Sequence, residues 1–300
     1  MAGTGRTPGS SGTDAPAPRR GTFWWAGHEE NLPAGLDWLS ARERARVDAL
    51  RFTKRRTEHL LRRWVGKRTV AAVTGRPTDL GSLARIEVLN RATGAPYVSI
   101  DGAETRWEIS LSDRAGCAVA VIGDAGGNPV LPLGVDVEIV EPRSHGFVTD
   151  FLTPAEQEWV NRRPPAQGLS RDAAANLVWS AKEAVLKVLQ LGLREDTREV
   201  AITVAHEVRP DGWSRFTGTW REETVLEGWW RQDGSFLLTV AAHELPEPPV
   251  MLPGAVDVSR AVPVHSWMAR PMVPPDEEDR DSAGGPRHPP FQRVDDVGPQ

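Results

Sequence analysis

From Leu133 to Val140 apolar and acidic positions alternate. Leu133, Val135, Val137 and Ile139 fall on one face of an extended strand, and Asp136 and Glu138 fall on the other. Beyond Ser170 the period changes. Leu177, Ala181, Val185 and Leu189 recur at helical spacing, which predicts a core stripe on a helix capped by Ser170 and running to about Leu191. Trp179, Glu183 and Lys187 are spaced by four and line a different face, with Lys182 beside Glu183. Two further helix starts carry a capping box, Ser40 with Glu43 and Thr153 with Glu156, and the second adds Pro154 at the first helical position. Strand-like runs cover residues 107–122, 201–208, 216–220 and 235–243.

These signals repeat. Asp37-Trp38-Leu39-Ser40-Ala41-Arg42-Glu43 is answered by Asp150-Phe151-Leu152-Thr153-Pro154-Ala155-Glu156, and Trp64-Val65-Gly66-Lys67 by Trp179-Ser180-Ala181-Lys182. The two helical patterns end near Gly75 and Gly192 as C-terminal caps. The expected fold is α+β, two similar halves related by a pseudo-twofold axis. The expected boundaries are a disordered leader (1–21), a first half (22–130), a second half (131–245) and a disordered tail (246–300). The tail holds 12 of the 25 prolines and the acidic run Asp276-Glu277-Glu278-Asp279, with one anchoring patch around Val262 to Met268.

Composition narrows the function classes. A net charge of -5 argues against a protein built to hold nucleic acid. The one cysteine, Cys117, lies in an apolar run and reads as a buried strand residue in a reducing, cytoplasmic setting. No apolar stretch would span a membrane, and the N-terminus lacks a signal core. Twelve Trp against one Tyr point to core packing. His28, His59, His145 and His206 show no metal-ligand or nucleophile–base spacing and read as structural or surface residues.

The candidate chemistry is acidic. Asp136 and Glu138 point the same way and repel each other without a cation nearby. Oxygen ligands without His or Cys favour magnesium over zinc. Glu183 offers a third carboxylate, and Lys187, one turn on, a phosphate contact. Taken alone, each motif reads better as the solvent face of an edge strand or a surface Glu–Lys pair.

Together, Gly134-Val135-Asp136-Val137-Glu138 and Trp179-Ser180-Ala181-Lys182-Glu183-Ala184-Val185-Leu186-Lys187 closely resemble the paired signature of the Sfp-type 4'-phosphopantetheinyl transferases. Phe147-Val148 and Asp150-Phe151-Leu152-Thr153 with Glu156 are similar to the family's linking segment. The resemblance covers residues 22–245 and is densest from 107 to 192. It implies a pseudo-dimer with coenzyme A in the cleft between the halves. It also implies transfer of phosphopantetheine to a serine of an acyl or peptidyl carrier protein, with Mg2+ on Asp136, Glu138 and Glu183. Lys182 and Lys187 would then lie near the pyrophosphate, with Glu183 as base and Lys187 stabilising the leaving group. One chain supplying both walls of the cleft favours a monomer.

The first half departs from the pattern. Ser110-Leu111-Ser112-Asp113-Arg114 resembles the family's Ser-Leu-Ser-His segment, but Asp113 stands where the 3'-phosphate-binding His is expected. Ser112 and Arg114 remain candidate donors. Lys54-Arg55-Arg56, Arg62-Arg63-Trp64 with Lys67, and the turn Arg91 to Tyr97 resemble the coenzyme-binding segments; Arg56 and Lys67 fit the spacing best. The competing readings are a catalytically impaired carrier-binding homologue and another magnesium-dependent phosphoryl enzyme.

Overall fold

The computed structural model describes residues 21–124, 132–162, 168–191 and 196–264. Most of the expected leader, Gly192, most of the expected anchoring patch and the acidic run at 276–279 lie outside the described residues. The fold is mixed α+β.

The first half begins with β1 (Thr22–His28), α1 (Ala41–Asp48), α2 (Thr53–Thr74) and α3 (Leu80–Ala84). It continues through β2 (Ile86–Asn90), β3 (Pro96–Ile100), β4 (Ala103–Glu104), β5 (Trp107–Arg114) and β6 (Cys117–Asp124). The second half holds β7 (Leu133–Ile139), α4 (His145–Phe151), α5 (Pro154–Asn161) and α6 (Arg171–Leu189). After them come β8 (Val200–Val208), β9 (Ser214–Trp220), β10 (Thr224–Asp233), β11 (Phe236–Ala242) and β12 (Val250–Met251).

Among the described residues three sheets result, ordered β12-β1-β6-β5, β7-β11-β10-β9-β8 and β2-β3-β4. One core lies beneath α2 and includes Trp25, Trp64, Val65, Ile109 and Ile122. A second lies beneath α6 and includes Leu177, Ala181, Val185 and Leu237. A third joins Trp24, Val119 and Val121 to Val135, Val137, Trp229 and Val240, so the two large sheets pack face to face. Both faces of these central strands are therefore buried, and β6 reads as a near-continuous apolar run for that reason.

The capping boxes form as the sequence predicts, at Ser40–Glu43 and Thr153–Glu156. Each box glutamate does more. Glu43 Oε1 accepts from the Val88 N–H at 3.1 Å, and Glu156 Oε1 accepts from the Ile202 N–H at 2.7 Å. Each also pairs with a buried lysine from the long helix of its own half: Lys67 with Glu43 at 2.5 Å, Lys182 with Glu156 at 2.9 Å. Lys67 further donates to the Trp38 and Leu83 carbonyls, and Lys182 to those of Thr197 and Val200. Helix start, long helix and following strand are thus joined by the same kinds of contact around Glu43 and around Glu156.

Two local readings differ. α6 ends on Gln190 in the left-handed conformation, two residues before the glycine expected as its cap. Residues 246–261, expected to begin a disordered tail, run back over the first half: β12 pairs with β1 and Leu252 is buried in the first core, while Val264, within the expected anchoring patch, donates its N–H to the Ala115 carbonyl. An edge strand and its flanks tolerate proline, because only one side of the backbone needs partners.

Candidate active site

The site lies along the seam where the edge strand β5 meets the edge strand β7. Alternate residues of β5 reach across it. Ser110 Oγ accepts from the Val135 N–H at 3.0 Å, Ser112 Oγ donates to Asp136 Oδ1 at 2.8 Å, and Arg114 pairs with Glu138 at 3.0 Å. α6 closes the seam from the other side. It can do so because position 134 is glycine: a Cβ there would stand 1.9 Å from the Ala184 carbonyl oxygen. The strand and the helix therefore touch backbone to backbone, which brings Ser180, Glu183 and Lys187 over β7.

Asp136 is the centre of this arrangement and is buried. Its oxygens accept from Ser112, from Ser180 Oγ at 2.9 Å, and from Lys187 Nζ at 2.9 Å. Lys187 also donates to the Val135 carbonyl at 2.7 Å, and Ser180 shares a hydrogen bond with Thr239. Glu183 is different. Its Oε1 is buried without a hydrogen-bond partner among the described residues. Burial, reinforced by Asp136 and then Glu138 against the opposing Lys187, pushes its carboxyl up to about 7. Glu138 is also raised, by burial first and by Asp136, although Arg114 and Arg143 (3.3 Å) oppose the shift. The same two arginines bind Glu141.

The three carboxylates expected to share a metal are thus electrostatic neighbours. Among the described residues, however, no three acidic, His or Cys side chains stand as a ready-made metal group. Cations of the chain itself occupy that charge: Lys187 on Asp136, Arg114 and Arg143 on Glu138.

Beyond Lys187 the seam opens into a cavity of about 900 Å³, lined by Arg42, Arg46, Arg62, Arg63, Arg91 and Lys187 among others. Arg42 is bound to Glu87, Arg62 to Asp113, Arg63 to the Asn90 side chain and Arg91 to Glu104. Arg46 has no such partner among the described residues. His59 also lines the cavity; burial, then Arg63 and Arg62, push its imidazole down to about 3, so it is neutral at pH 7.

The remaining candidates separate clearly. Lys182, expected near a pyrophosphate, and Lys67, expected on a coenzyme-binding helix, are fully buried in their glutamate pairs and face neither the seam nor the cavity. Desolvation lowers the pKa of both, opposed by those glutamates. Arg56, on the first turn of α2, is not among the cavity's lining residues. Ser112 and Arg114 lie in the seam, bonded to acids. Asp113 is turned toward α2, where its carboxylate takes the charge of Arg62. Cys117 is buried, and its thiol is pushed up to about 12, as expected of a structural residue. Sequence reasoning missed Ser180 as a partner of Asp136, and Arg42, Arg46 and Arg143 as charges around the site. Arg143 follows β7 by only a few residues, but nothing in its spacing reveals the turn that returns it to Glu138.

No curated protein matches the chain. A family model does: residues 132–241, from the start of β7 to the end of β11, match the 4'-phosphopantetheinyl transferase superfamily. The matched span contains Asp136, Glu138, Glu183 and Lys187 but none of the cavity arginines of the first half. The likeness to that superfamily thus rests on residues 132–241 of this chain.

Proposed function

We propose that the chain transfers the 4'-phosphopantetheine arm of coenzyme A to a serine hydroxyl of an acyl or peptidyl carrier protein and releases 3',5'-ADP. The observation that carries this reading is the meeting of two environments at Lys187: a buried acidic seam on one side and an arginine-lined cavity on the other. Such a boundary suits a ligand with a reacting diphosphate and a charged nucleotide end. The correspondence of the Lys67–Glu43 and Lys182–Glu156 pairs supports a duplicated fold, with the cavity in the cleft between halves and one chain sufficient as a monomer.

The donor set suits magnesium. Asp136 and Glu183 supply hard oxygens, Glu183 Oε1 has no hydrogen-bond partner among the described residues, and burial beside Asp136 raises the pKa of Glu183 and Glu138 as for groups short of a cation. Asp136 and Glu183 would hold the ion, with Glu138 behind them on its two arginines. When bound, magnesium supplies neutralisation of diphosphate charge.

The chain's own residues do the rest. The cavity arginines hold the nucleotide phosphates. The carrier serine oxygen attacks the β-phosphorus, the bond from that phosphorus to the bridging oxygen breaks, and 3',5'-ADP leaves. Glu183, as the carboxylate, takes the serine proton. Lys187 places its ammonium at the phosphates, where negative charge grows on the leaving oxygen.

The test incubates the protein with coenzyme A, magnesium and an apo carrier domain and reads the carrier's mass. A gain of one phosphopantetheine is expected. Glu183→Gln and Asp136→Ala should each slow it by roughly 10²- to 10⁴-fold. Labelling by either variant at the parental rate would overturn the assignment. Release of phosphate without any carrier would favour a different phosphoryl enzyme.

A further inference from the structure

The cavity wall contains two acidic side chains among its arginines, Glu43 and Glu108. Glu43 is fully committed to Lys67, to the Ser40 and Val88 N–H groups and to its capping box. Glu108 is not. It is half-buried on β5 and makes no hydrogen bond or ion pair among the described residues. Burial raises its pKa, opposed by Arg91 and aided by Glu104. Its carboxylate, half-buried in the cavity wall, is open to a ligand that enters there.

Its position says what kind of ligand group would meet it. Glu108 lies on the same face of β5 as Ser110, Ser112 and Arg114, the face that crosses to β7. Four residues of strand place it about 14 Å from Ser112, and so from the Asp136 centre. That is the reach from the diphosphate of a nucleotide to its nucleoside end. A carboxylate repels phosphate and accepts from neutral donors. Glu108 therefore marks a stretch of this basic wall that rejects phosphate and favours an N–H or O–H group.

We propose that Glu108 is a specificity-determining residue that accepts a hydrogen bond from a neutral donor on the nucleoside end of the nucleotide substrate. Two donors share this chemistry, the exocyclic amine of adenine and a ribose hydroxyl. The assignment rests on the transferase reading of the cavity and deepens it. Because loss of a negative charge from an arginine-lined cavity tightens every anion, the informative quantity is a ratio of affinities, not one affinity.

The experiment is calorimetric titration of the full chain with 3',5'-ADP, its hypoxanthine counterpart and its 2'-deoxy counterpart, repeated on Glu108→Ala and Glu108→Gln. The parental protein should prefer 3',5'-ADP over one of the two analogues by roughly 10- to 100-fold, the worth of a hydrogen bond to a charged group. A preference over the hypoxanthine form assigns the amine, and one over the 2'-deoxy form assigns the hydroxyl. Glu108→Ala should abolish that preference. Glu108→Gln, which retains a neutral acceptor and nearly the same shape, should reduce it. If the parental chain binds 3',5'-ADP and the ratios are unchanged in both variants, Glu108 is not the selector although the cavity is still the nucleotide site. If the parental chain binds none of the three, the reading of the cavity falls and this assignment with it.

Discussion

At Glu183 two demands meet in one carboxyl. Its ordinary value is 4.5, and burial among other acids raises it to about 7. Between those two values the folded chain keeps a proton that the unfolded chain has lost. Folding stability from this group therefore falls as pH rises from about 4.5 to about 7 and is level above. A cation prefers the ionised form, so magnesium should bind more tightly as pH rises toward 7, and binding below 7 should expel the proton. Titrating magnesium at about pH 6 in two buffers of different ionisation enthalpy should reveal close to one proton released, falling toward zero at about pH 8. Glu183→Gln should remove that release; the same release in the variant would place the proton on another group. The acids of this site were legible in the sequence because a period of two and a spacing of four put Asp136 and Glu183 on defined faces. Lys182 was not legible in its actual role. It adjoins Glu183 in sequence, yet it turns about 100° away along the helix and meets Glu156, a partner set by tertiary packing.

The strand β7 and the helix α6 work as one unit, and Gly134 is the point at which they touch. An added Cβ would lie 1.9 Å from the Ala184 carbonyl oxygen, 2.8 Å from its carbon and 3.0 Å from a Val188 methyl. Two of those three neighbours are backbone atoms of a buried helix, which cannot swing aside as a side-chain end would. Gly134→Ala should therefore push α6 from β7, at a cost of about 1–3 kcal/mol or more. Since Glu183 rides on the helix and Asp136 on the strand, magnesium affinity should fall in the molecules that still fold. Urea unfolding and calorimetry measure the two effects separately, and a variant with parental stability and affinity would show that the contact is not needed. The helix itself was readable from the Ser170 cap and the apolar stripe, as were both capping boxes. The glycine's reason was not readable, because a missing side chain records only that something is close. The expected stop at Gly192 also misplaced the cap. Gln190 takes the left-handed turn, a conformation glycine favours without being the sole residue to adopt it.

Across the whole molecule the two sheets are held by their shared core and by the returning segment that follows β11. Leu245 accepts a hydrogen bond from Trp229 Nε1 at 2.8 Å while still on the second half. The chain then crosses to the first half, where β12 lies parallel to β1 and the Leu252 and Val256 N–H groups donate to the Trp24 and Ala26 carbonyls. Val258 returns to the core between the sheets. Proline content concealed this clasp. A single extended strand with one buried residue in every few gives no periodic signal, and the acidic, proline-rich sequence that follows it dominates the composition. The clasp makes a sharp prediction, because neighbouring residues on it differ in burial: Leu252 is 1% exposed and Val250 is 57% exposed. Leu252→Ala leaves a cavity in the core beneath α2 and should cost about 2–5 kcal/mol. Val250→Ala removes a side chain that water already reaches and should stay within about 0.5 kcal/mol of the parent. Both substitutions leave the backbone pairing of β12 in place, so the difference between them isolates the anchoring of one side chain. Urea midpoints at constant slope report it. Equal midpoints for the two variants would mean that the returning segment rests on the first half without holding it, and that the sheet-to-sheet core alone keeps the seam, and with it Asp136 and Ser112, in register.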